Sequence, residues 1–129
     1  MNYLLDVNVV VALLGETHDL HDRAERWVAT LTAADDLLLC PWVEVGYIRV
    51  TLATRRDLAL ADAQRLLAAM RCGHARLRAI ADNSRAAALP AWVKHHGHVG
   101  DGHLLALAAD QGAKLATLDT GIPGSFLLP

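Results

Sequence analysis

Short apolar segments, too brief to be helices, alternate along this chain with stretches whose apolar residues recur at helical spacing. That alternation constrains the fold more than any other feature. "NYLLD" at the start, "LLLC" at 37–40, "RLRAI" at 76–80, Lys114–Leu118 and Phe126–Leu128 read as strands. Between them, Leu20, Ala24, Trp27, Val28 and Leu31 form one apolar stripe, and Leu60, Ala63, Leu66, Leu67 and Met70 form another that Gly73 ends. Pro41 suits a first helical position and opens a helix to about Ala53. Asn8 is a candidate N-cap for Val9–Leu14, Ser84–Leu89 predicts a short helix, "HHGHVG" (95–100) a loop, and Asp101–Gln111 the last helix. No strand pair carries an Asn-Gly or Asp-Gly hairpin signal. The strands must therefore run parallel through helical crossovers. The expected fold is an α/β sandwich of three layers, with four to five parallel strands between helices, in a single domain over residues 1–129.

Composition narrows the function. The 129 residues are enough for a core without staples, and a hydrophobic content of 53% excludes disorder. That apolar excess also predicts a homo-oligomer. No apolar run is long enough to span a membrane, and the N-terminus has no charged leader. With only Cys40 and Cys72, a disulfide framework is not expected and a cytoplasmic location is. The net charge of −2 gives no global positive field for nucleic acid. Ten of the twelve basic residues are Arg, the better phosphate fork, while six aromatics are too few for a base-stacking platform. Any nucleic acid must be met through a local site.

The acids supply one. In a parallel sheet, strand C-termini and helix N-termini share an edge, where open α/β sheets bind their ligands. Asp6 ends the first strand, and Glu44 falls in the first turn or so of the helix after the second. Asp101 begins the helix leading into the fourth strand, and Asp119 follows that strand. Each alone has an ordinary reading as a cap, a solvated helix acid or the start of a turn. Their convergence does not. Two carboxylates about 4 Å apart repel by roughly 1 kcal/mol in water and about 4 at an effective dielectric of 20. A tight quartet needs protons or a cation. Oxygen-only ligands suit Mg²⁺ or Mn²⁺, which orient a phosphodiester and activate a bound water.

Three stretches, "LLDVNVVVALL", "CPWVEVGYIRV" and "HVGDGHLLALAADQGAKLATLDTGI", together resemble the PIN-domain ribonucleases, specifically the VapC-type toxins of bacterial toxin–antitoxin pairs. The resemblance spans nearly the whole chain. It implies a PIN-like fold and an acidic quartet of Asp6, Glu44, Asp101 and Asp119, with Asn8 and Thr117 in support. Asp6, Asp101 and Asp119 are the expected metal ligands, and Glu44 is expected to orient or deprotonate the attacking water. The resemblance further implies endonucleolytic cleavage of RNA with Mg²⁺ or Mn²⁺, a homodimer, and silencing by a small cognate antitoxin. Gly100 departs from the pattern, since relatives often carry Thr before the third acid.

Rival readings start from other residues. His95, His96, His98 and His103 suggest zinc, but neither cysteine is near and a solvated loop is the expectation. His103 is a candidate phosphate contact or a surface histidine. "LLDVN" could begin an aspartyl-phosphate phosphatase, but Asn8 cannot act as the general acid that chemistry uses. A receiver-like domain would need a phosphate-pairing Lys, and Lys114 starts its strand at the wrong edge. Arg49, Arg55 and Arg56 read as a solvated or dimer face, and Trp27 and Trp42 as core. A catalytically inactive binding module remains the non-enzyme alternative.

Overall fold

The computed structural model describes residues 1–83 and 88–129. Five strands form one parallel sheet: β1 (Asn2–Leu5), β2 (Asp36–Leu39), β3 (Leu77–Ala79), β4 (Ala113–Thr117) and β5 (Phe126–Leu127), in the order β3-β2-β1-β4-β5. Leu4 pairs with Leu38 on one side and Leu115 on the other. The helices are α1 (Val7–Leu14), α2 (His21–Thr30), α3 (Pro41–Thr54), α4 (Leu60–Gly73) and α5 (His96–Asp110). The expected α/β sandwich and its edge strand are present. The central strands are apolar because both faces are covered: Leu4, Leu5, Leu37, Leu38, Leu39, Leu115 and Ala116 are all buried. Tyr3, Trp27 and Phe126 stack where α2 meets β1 and β5, with ring centroids 5.0–6.0 Å apart. No helix among the described residues is long and apolar enough to cross a membrane.

Two helix starts differ from expectation. Asp6, not Asn8, caps α1: its backbone is extended (φ −74°, ψ 158°) and its carboxylate accepts the Val7 N–H at 2.7 Å. Asn8 lies inside the helix and turns its side chain to β4. The last helix begins at His96, five residues before Asp101, so "HHGHVG" is a helical first turn and not a loop. Glycine propensity argues against that turn, and packing overrides it. The His95 ring caps the helix by accepting the Gly97 N–H at 3.1 Å. Gly100 lies against Trp42, and Gly102 lies where any Cβ would collide with Val93. Gly112, at φ +60°, follows the helix end and starts the chain into β4. Residues 84–87 of the short helix expected at Ser84–Leu89 lie outside the described residues.

The topology fixes where a ligand can go. From β1 the chain moves outward to β2 and β3, then returns to the other side of β1 for β4 and β5. The switch point therefore lies between the C-terminal ends of β1 and β4, the crevice that open α/β sheets use.

Candidate active site

Asp6 stands at that switch point. Its amide still bonds to the Ala116 carbonyl at 2.9 Å, so β1 delivers it rigidly, and it is only 5% exposed. Oδ1 accepts the Val7 N–H. Oδ2 accepts the Thr117 hydroxyl at 2.6 Å and the Asn8 amide at 3.1 Å. A carboxylate has about four acceptor sites. Three are filled by these donors, which leaves Asp6 one lone pair to offer.

Thr117 and Asn8 form the shell behind it. The buried Thr117 hydroxyl donates to Asp6 and accepts the Asp119 N–H at 3.0 Å, fixing the turn out of β4. Asn8 Nδ2 also donates to Thr117 at 3.1 Å, while Asn8 Oδ1 accepts the Leu118 N–H at 3.0 Å. The Asn8 side chain thus ties α1 to the end of β4 while also donating to Asp6. Asp119 is exposed, and its Oδ1 accepts the Gly121 N–H at 2.7 Å.

Asp101 projects from the second turn of α5. Its carboxylate accepts no hydrogen bond among the described residues. Burial pushes its pKa up, and the neighbouring charges of Asp6 and then Asp119 push it further; His98 pulls the other way. Asp6 is raised too, chiefly by burial, with Asp119 adding to the rise against the lowering hydrogen bonds of Thr117, Val7 and Asn8. Three carboxylates therefore share one electrostatic neighbourhood. A half-buried carboxylate with no donor, facing two like charges, is matched by a cation, and an all-oxygen donor set suits a hard one. Among the described residues, no three Asp, Glu, His or Cys side chains are gathered closely enough to hold an ion as they stand.

Glu44 is placed differently. It lies in the first turn of α3, at the expected edge, but its Oε1 pairs with Arg71 of α4 at 3.2 Å. It is not among the charges that raise Asp6 or Asp101. The structure thus brings Asp6, Asn8, Thr117, Asp101 and Asp119 together and holds the Glu44 carboxylate to one side.

Arg71 was not legible as a partner from residue type, though a signal existed. α3 and α4 fold back on each other across a short turn, and Glu44 and Arg71 are nearly equidistant from Asp57 within it. His103 is likewise engaged: Nε2 meets Asp82 at 2.6 Å, and the ring lies 5.2 Å from that of Trp42. Trp42 is not core; it is 48% exposed, lying over Gly100 because α3 has just emerged from the sheet. Trp27 is buried as expected. His95 and His98 stack at 3.7 Å within the α5 start, so neither lies in a solvated loop. Cys40 is buried, and burial pushes its thiol pKa up, which unsuits it as a nucleophile.

Comparison with known proteins agrees with this geometry. The PIN-domain family profile matches residues 3–123. Ribonuclease VapC38 of Mycobacterium tuberculosis is 36% identical over 126 residues, covering 92% of this chain and 86% of that protein. Ribonuclease VapC39 of the same species is 32% identical, covering 97% and 94%. Among solved structures, M. tuberculosis VapC20 superposes with a TM-score of 0.71 at 16% identity, covering 98% of this chain and 99% of that one. VapBC2 from Rickettsia felis, bound to a promoter DNA fragment, superposes at 0.64, with 16% identity and coverage of 98% and 97%. With its five-stranded parallel sheet and its acids at the β1–β4 switch point, the chain belongs to the PIN-domain family and, within it, groups with the VapC proteins.

Proposed function

We propose that this protein is a divalent-metal-dependent endoribonuclease and the toxin of a toxin–antitoxin pair. The observation that carries this reading is the convergence of Asp6, Asp101 and Asp119 from three elements on one switch point. The ribonuclease names of VapC38 and VapC39 supply the substrate class. Asp101, Asp119 and the remaining lone pair of Asp6 would hold Mg²⁺ or Mn²⁺, which supplies charge neutralisation and a polarised water at neutral pH. Asn8 and Thr117 aim Asp6, and their hydrogen bonds oppose the rise that burial gives its pKa. Glu44 accepts the proton of the attacking water as its oxygen bonds to phosphorus. The 3′-oxygen then departs and takes a proton from solvent water, leaving a 5′-phosphate and a 3′-hydroxyl. Asn8 carries no acid and is tied to β4, which disfavours an aspartyl-phosphate mechanism.

Two partners belong to the proposal. A small antitoxin is expected, because similar folds include a toxin–antitoxin complex from Klebsiella pneumoniae. A homodimer is expected from the apolar composition and from exposed apolar side chains such as Val45 and Val99. The test is cleavage of a structured RNA by wild type, Asp6→Asn and Glu44→Gln, with and without chelator. Wild type should cut only with Mg²⁺ or Mn²⁺, Asp6→Asn should be inactive, and Glu44→Gln should lose about 10²–10⁴-fold. Cleavage in chelator, or a 2′,3′-cyclic phosphate product, would overturn the mechanism. Mass measurement of the protein alone at micromolar concentration, and after co-expression with a candidate small antitoxin, tests both partners.

A further inference from the structure

We infer that Arg71 is a substrate-phosphate ligand that exchanges Glu44 for RNA, so that phosphate binding releases Glu44 to the acidic edge. The inference rests on the ribonuclease reading above. It starts from a mismatch. Glu44 begins α3 at the edge expected for the acidic set, yet its carboxylate is turned to Arg71 of α4 and paired with it.

The pair is built to be exchanged. It consists of one contact at 3.2 Å, with the Arg71 side chain half exposed and that of Glu44 about a quarter. Partly exposed pairs of this kind are weakly held. A phosphodiester offers the same guanidinium a two-pronged acceptor, which Arg binds better than a single carboxylate oxygen. The two residues also border a wide groove between α3 and α4, lined further by Val45, Ile48, Gln64 and Leu67, with about 640 Å³ of open volume. That is room for an extended strand to approach the guanidinium without moving the sheet. Among the described residues, Arg71 is the arginine paired with a residue of the acidic set; Arg55, Arg65 and Arg78 pair with Asp57, Asp62 and Asp36.

Repulsion gives the exchange its direction. A fourth carboxylate brought against Asp6, Asp101 and Asp119 is unfavourable until positive charge is present there. Arg71 gives Glu44 somewhere to rest until then. When a phosphate takes the guanidinium, Glu44 loses its partner where a water must be deprotonated.

Binding without turnover tests this. Fluorescence anisotropy with a labelled single-stranded oligoribonucleotide, in chelator, reads the phosphate contact apart from cleavage. Arg71→Gln should weaken binding by about 10- to 100-fold. It should also flatten the slope of log affinity against log salt by about 0.7, the loss of one counterion. Arg71→Lys should restore the slope. Glu44→Gln should bind as tightly as wild type or tighter, and any gain should shrink in the Arg71→Gln background. Unchanged affinity and slope in Arg71→Gln would overturn the proposal, as would Glu44→Gln binding as weakly as Arg71→Gln. A wild type that cleaves RNA while Arg71→Gln binds normally leaves the ribonuclease reading standing and this one fallen. A wild type that neither binds nor cleaves RNA removes both.

Discussion

The Thr117 hydroxyl donates to Oδ2 of Asp6 across 2.6 Å while accepting the Asp119 amide at 3.0 Å. One buried side chain thus joins the end of β1 to the turn that carries Asp119. Beyond the β1–β4 ladder, this hydroxyl couples the orientation of the Asp6 carboxylate to the turn that follows β4.

Thr117→Val keeps the shape and removes that link. The Asp119 amide loses its acceptor and Asp6 loses its shortest hydrogen bond, so stability should fall by about 1–3 kcal/mol. RNA cleavage should fall with it. Thr117→Ser should recover most of both, because the hydroxyl returns without the methyl. Urea unfolding of the three proteins decides; a valine variant as stable as wild type would show the link to be incidental.

The glycines of α5 make opposite predictions. Gly100 has room for a methyl, with Trp42 Cζ2 3.6 Å from the Cβ position. Gly100→Ala should therefore stabilise by about 0.5–1 kcal/mol through the helix backbone alone. Gly102 has none, since its Cβ would meet Val93 with Pro90 and Leu89 close behind. Gly102→Ala should cost about 1–3 kcal/mol. Thermal unfolding separates the two, and equal effects would contradict the packing described here.

These glycines also mark where the sequence stopped being legible. Strand ends and helix starts are local features, so Asp6, Asp119 and Glu44 could be placed at one edge from spacing alone. The α5 start could not. "HHGHVG" reads as loop by propensity, and only contacts with Trp42 and Val93, distant in sequence, make it helical. For the same reason Asp101 was set at a helix start when it stands a turn further in. Trp42 was misplaced in the core because helical spacing does not say which face meets the sheet. Most consequentially, the sequence placed Glu44 at the edge but not its rotamer, which depends on Arg71 across the α3–α4 turn.

Asp101 predicts an unusual pH dependence. Its folded-state pKa is raised above 3.8, first by burial and then by Asp6 and Asp119. The folded state therefore holds that proton more tightly than the unfolded chain does. The stability this contributes is full below the unfolded value and is lost as pH rises through the folded one. In chelator, Asp101→Asn should thus be more stable than wild type at neutral pH, with the gap closing as pH falls toward 3.8. Asp6→Asn is a poorer probe because it also disturbs the α1 cap and the Thr117 bond. Tm against pH gives the answer; an asparagine variant less stable at neutral pH would contradict like-charge crowding.

A divalent cation should reverse that penalty. The carboxylates of Asp101, Asp119 and Asp6 share one electrostatic neighbourhood, and a cation bound among them offsets their mutual repulsion. Adding Mg²⁺ or Mn²⁺ should therefore raise the Tm of wild type. The gain should grow with concentration, reaching about 2.7 kcal/mol at a hundredfold excess over Kd. Chelator should return the starting value. Asp101→Asn starts from relieved repulsion and lacks a ligand, so its Tm should respond little to either ion. Glu44→Gln should keep most of the response, because its carboxylate is engaged by Arg71 and not by the aspartates. Equal shifts in wild type and Asp101→Asn would mean that the ion binds elsewhere. A response lost in Glu44→Gln would make Glu44 a ligand and displace it from the role of base.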